Sequence, residues 1–116
     1  MGHAYPELNE KVVEEMLKKC GKYLIQFNAE NIEFDYTLLV AKYCKNIQSI
    51  NFWKTSLEGI EELPKNCKNI KELNIFYVKL GFASNESLES AIGNLISNNK
   101  NFRSLVLGQF HAYSDG

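Results

Sequence analysis

The sequence predicts an α/β fold, a solenoid of about four helix–strand units whose strands line up in a short parallel sheet. Three observations predict it. Cys44-Lys45-Asn46-Ile47 and Cys67-Lys68-Asn69-Ile70 are the same four residues written twice, 23 positions apart (44 to 67), and a fixed period in this range marks stacked structural units. Each copy is followed by apolar residues three and five places after the isoleucine. This gives Ile47, Ile50 and Phe52, then Ile70, Leu73 and Ile75, and the spacing recurs at Leu24, Phe27 and Ala29 and at Phe102, Leu105 and Leu107. Upstream of each strand the apolar residues fall three to four apart, so the period changes from helical to extended within every unit.

The units span about 8–29, 35–52, 56–75 and 85–107 of a single domain, or fragment of a longer array, covering 1–116. In the first, Leu8, Val12, Met16 and Leu17 form the apolar side of a helix over 8–19. Gly21, directly after Cys20, suits the left-handed residue that ends a helix. In the second, Tyr36, Thr37 and Val40 precede Cys44. The third has a short helix over 56–63, opened by Ser56 and stopped near Pro64, which cannot donate to the helical ladder. Gly59 weakens that helix by about 1 kcal/mol relative to alanine. Residues 79–84 lengthen this unit and belong in a surface loop. In the fourth, Asn85 caps a helix striped by Leu88, Ala91, Ile92, Leu95 and Ile96, and Asn99 stands where the other units have cysteine.

Such a unit cannot bury its apolar face alone, so neighbours stack and equivalent positions form columns. One column is Ile47, Ile70 and Phe102; a second is Phe27, Ile50, Leu73 and Leu105; a third is Met16, Val40, Leu63 and Leu95. Cys20, Cys44 and Cys67 form another at the helix ends, where a free thiol behaves as a small apolar group. Burial contributes roughly 1.5–3 kcal/mol per large side chain, enough to offset ordering only when several units are present.

The stretch Gly59-Ile60-x-x-Leu63-x-x-x-Cys67-x-x-Ile70-x-x-Leu73-x-Ile75 resembles the cysteine-containing leucine-rich repeat of F-box proteins, the substrate receptors of cullin-RING ubiquitin ligases. The resemblance covers about residues 12–110. It implies a leucine-rich-repeat solenoid that recognises a protein on its concave sheet face. Two departures stand out. Three places after the last strand residue the family often has Asn or Cys; here Ile32, Thr55, Val78 and Phe110 stand there, so the ladder of side-chain hydrogen bonds at that turn is missing or replaced. The stretch ahead of the first unit is too short for an F-box, so the chain is expected to be the recognition end of such a receptor, or a free-standing relative.

Composition narrows the function classes. The 13 basic and 14 acidic residues leave a net charge of −1, which argues against a nucleic-acid or membrane surface. Three cysteines and no secretory leader point to reduced thiols and a cytoplasmic or nuclear location. No cysteine pair has the two-to-four-residue spacing of a zinc site, and nothing brings His3 or His111 to a thiol as a nucleophilic dyad requires. No glycine-rich phosphate loop or serine elbow is present. The expectation is a non-enzyme without metal or cofactor, with a small thiol enzyme as a distant alternative.

Side chains alternate across a strand, so with Ile50 and Phe52 inward, Ser49, Asn51 and Trp53 face outward. The matching residues are Gln26, Asn28 and Glu30, then Glu72, Asn74 and Phe76, then Ser104, Val106 and Gly108. Polar groups fill most of this face; Trp53 and Phe76 break the pattern, neighbours on adjacent strands about 4.8 Å apart. The expected partner-binding residues are Trp53 and Phe76, with Asn51, Asn74, Glu30 and Glu72 around them. The alternative is a structural fragment that self-associates through its open ends.

Overall fold

The computed structural model of the chain describes residues 10–29 and 34–112, the last four by backbone alone. Helices and strands alternate: α1 (Glu10–Cys20), β1 (Gln26–Ala29), α2 (Thr37–Tyr43), β2 (Ser49–Ser56), α3 (Leu57–Asn66), β3 (Glu72–Gly81), α4 (Asn85–Ser97) and β4 (Ser104–Ala112). The strands form one parallel sheet in sequence order, β1-β2-β3-β4. Consecutive helices lie side by side, α1 on α2, α2 on α3 and α3 on α4. The described residues thus form an α/β structure of four α-helices and a four-stranded parallel sheet.

Its hydrogen bonds repeat from unit to unit. Ahead of each strand the backbone N–H groups of two successive residues donate to one carbonyl of the previous unit. Gln48 and Ser49 reach Ile25, Lys71 and Glu72 reach Gln48, and Arg103 and Ser104 reach Lys71, at 2.8–3.1 Å. The resulting register sets Phe27 opposite Ile50, Ile50 opposite Leu73 and Leu73 opposite Leu105, the column expected from the spacing. Ile47, Ile50, Ile70, Leu73 and Ile75 are all fully buried beneath the helices.

The first unit departs from expectation by one residue. Leu24 N–H donates to Gly21 O at 3.1 Å, as Ile47 does to Cys44 and Phe102 to Asn99. Gly21, rather than Cys20, therefore holds the place of Cys44 and Cys67. Counting back from it, Leu17 joins Val40, Leu63 and Leu95 in the buried column, whereas Met16 is 45% exposed and Val12 49%. Leu8 lies outside the described residues. Gly21 is there because α1 and α2 come close: a Cβ at Gly21 would lie 2.7 Å from Tyr43 O. It does not serve as a left-handed cap. Among the described residues only Gly81 has positive φ, 65°.

Three further boundaries shift. Helix α3 runs through Pro64 to Asn66, because a proline in the last turn forfeits only one bond and its ring is buried against the core. Ser84, not Asn85, caps α4, its Oγ accepting from Ser87 N at 3.2 Å; Ser56 caps α3 as expected, accepting from Gly59 N at 3.1 Å. Of the insertion at 79–84, the first three residues lengthen β3. Leu80 is buried there, and Gly81 makes the turn.

The strands are also longer than the repeat spacing implies. Burial runs Ile50, Phe52 and then Thr55 in β2, and Leu73, Ile75 and then Val78 in β3. The inward alternation slips by one residue after Phe52 and Ile75, and pairing resumes at Lys54 opposite Tyr77. In place of a polar ladder at that slip, the hydroxyls of Thr55 and Thr37, both fully buried, hydrogen-bond to each other. Asp35 reinforces the junction, its carboxylate accepting from Thr37 N and Ser56 N, each at 2.9 Å. The side chains of Ile32 and Phe110 lie outside the description.

Candidate partner-binding face

The outward rows follow from register. Gln26, Ser49, Glu72 and Ser104 are level across the sheet; Asn28, Asn51, Asn74 and Val106 form the next row. Trp53, Phe76 and Gly108 form the third, at the slip where the ladder passes from Phe52 opposite Ile75 to Lys54 opposite Tyr77. Trp53 and Phe76 stack almost parallel, with centroids 4.2 Å apart and planes at 13°. Strand spacing explains the distance, since adjacent parallel strands lie about 4.8 Å apart. The stack stabilises the pair by about 0.5–1.5 kcal/mol beyond burial, yet Phe76 remains 46% exposed.

Together the second and third rows enclose a shallow depression of about 350 Å³. Trp53 and Phe76 form one side and Asn51, Asn74 and Val106 the other, with Phe52 and Ile75 beneath and Gly108 at the β4 end. Trp53, Phe76, Asn51 and Asn74 therefore come together as expected. Glu72 does not line the depression; it sits one row away, and Oε2 accepts from Arg103 Nη2 at 3.2 Å. Exposed pairs of this kind are worth little. Glu30 lies outside the described residues. Val106, 54% exposed, and Gly108 belong to the site although polarity and aromatic content did not mark them; register alone brings them in. A Cβ at Gly108 would fall 2.5 Å from Phe76 O, so close approach of β4 to β3 requires glycine there.

The thiols occupy a different region. Cys44 and Cys67 are fully buried, and Cys67 Sγ lies 3.3 Å from Cys44 O. Burial pushes Cys44 up to about 11 and Cys67 up to about 12, with smaller contributions from the neighbouring thiol. Cys20 is half-buried and points its thiol at Met16 O, 3.0 Å away. All three are free. His3 and the side chain of His111 lie outside the described residues. Among the described residues no three His, Cys, Asp or Glu side chains converge as metal ligands would, and no helix is long and apolar enough to cross a membrane. Comparison with protein-family models, with curated proteins and with solved structures returned no match.

Proposed function

We propose that this chain is a protein-recognition module that holds its partner on the open face of the sheet, around Trp53 and Phe76. One observation carries the reading: Phe76, 46% exposed, stacks on a partly buried Trp53 on a face lined mostly by Asn, Ser, Gln and Glu. Aromatic anchors ringed by polar groups are the common anatomy of a binding hot spot. The units are read as a leucine-rich-repeat solenoid similar to the substrate-recognition repeats of F-box receptors, with its concave side at this face. The repeated carbonyl pattern at Ile25, Gln48 and Lys71 supports that reading. A non-catalytic role is favoured because Cys44 and Cys67 are held neutral by burial, whereas a thiolate is the nucleophile.

A second reading, self-association through the β4 edge, is favoured by Val106, exposed on the last strand, with Leu105 and Leu107 only partly buried beside it. Among the described residues no strand pairs with the outer edge of β4, and such an edge invites another strand. Affinity capture from the source cell extract, comparing the chain with W53A/F76A, tests the first reading. The captured protein is expected to be lost with a double variant that still folds. Equal capture by both chains would remove the site from this face. Sedimentation of the chain against V106K tests the second, which requires association that the charge abolishes.

A further inference from the structure

Among the described residues, the row containing Trp53 and Phe76 has a third place, at Gly108, that no side chain fills. In β4, Leu107 is opposite Ile75 and Gln109 opposite Tyr77, so Gly108 is level with Phe76. Trp53 covers one face of the Phe76 ring; the depression continues past Phe76 to Gly108 and Val106. Close approach to Phe76 O excludes a side chain at Gly108, so the vacancy is built into the backbone. Gly108 stands one strand spacing, about 4.8 Å, from Phe76, close to the 4.2 Å separation of the two rings already stacked.

We infer that the vacancy is a slot for one aromatic side chain of the partner, stacking on Phe76 over Gly108 as the third ring of the series. This rests on reading the face as a protein-recognition surface. A planar ring is favoured over an aliphatic group because the existing pair sets a parallel geometry for the next π-face. A polypeptide is favoured over a nucleic acid because the lining carries no cation to neutralise phosphate: Asn51, Asn74, Trp53, Phe76, Val106 and Gly108 are uncharged. The Asn51 and Asn74 amides each offer donors and an acceptor, suited to the backbone of the segment that bears the ring.

The test titrates N-acetyl-phenylalaninamide, its cyclohexyl analogue and adenosine into the full chain, following backbone amides by NMR. The phenyl amide is expected to give a saturable ring-current shift at Gly108 and Val106. The cyclohexyl analogue should bind about three- to tenfold more weakly, the fold-change an aromatic pair supplies. F76L, checked for folding by its spectrum, should erase that preference. No saturable shift at Gly108, equal binding of the saturated analogue, or tighter binding of adenosine would overturn the slot. If the amide leaves Gly108 unmoved while W53A/F76A still loses its captured protein, the slot is wrong and the recognition face stands. If W53A/F76A captures as well as the parent chain, the reading of the face itself has failed.

Discussion

Replacing Asn99 by alanine should cost far more than its loop position implies. Asn99 is 1% exposed. Its Oδ1 accepts from Ile70 N at 2.8 Å and its Nδ2 donates to Leu95 O at 2.9 Å. The side chain thus ends α4 and at the same time satisfies a buried amide in the preceding unit. In N99A both backbone groups lose their partners, and a buried group left unsatisfied costs about 1–3 kcal/mol. The expected loss is about 2–6 kcal/mol, comparable with the whole stability of a marginal domain. N99C should recover part of it, because Cys44 and Cys67 fill the same place and a thiol can donate to the carbonyl four residues before it, as Cys20 does to Met16, which would serve Leu95 O. Urea denaturation followed by Trp53 fluorescence gives both values; the chain has a single tryptophan. A loss below about 0.5 kcal/mol for N99A, within the range of ordinary surface substitutions, would refute the capping role.

Three other outcomes are expected. Gly59→Ala should destabilise, although alanine gains about 1 kcal/mol in helix propensity. Its Cβ would lie 2.6–2.7 Å from Thr37 side-chain atoms that the bond to Thr55 holds in place, and overpacking costs about 1–3 kcal/mol; a raised melting temperature would contradict this. A thiol reagent should label Cys20 well before Cys44 and Cys67, read by intact mass; simultaneous labelling of all three would disprove separate environments. Raising the pH should weaken folding through the thiols. Their folded values, about 11 and about 12, exceed the unfolded value of about 8.5, so their contribution is full below the unfolded value. It declines above it, by up to about 1.4 kcal/mol per thiol per pH unit, until each folded value is passed. C44A/C67A should show a shallower alkaline slope than the parent in denaturant titrations; equal slopes would assign the effect elsewhere.

The repeated Cys-Lys-Asn-Ile and the spacing after it determined the parallel order, the register of Phe27, Ile50, Leu73 and Leu105, and the outward placing of Trp53 and Phe76. Those features depend only on translation along the chain, and a constant interval between like residues carries that information. Rotation is different. A helix turns about 100° per residue, so the one-residue offset at Gly21 exchanged Leu17 for Met16 and Gly21 for Cys20 in the core. Whether a glycine ends a helix or admits a neighbour depends on what approaches it, and only tertiary structure brings Tyr43 O to Gly21 and Phe76 O to Gly108. The same holds for Asn99, which reads as a substituted cysteine in the sequence and becomes a cap once Ile70 N stands beside it. The continuation of β2 and β3 past the slip was likewise decided between strands, because each added residue gains its bonds from a neighbour distant in sequence.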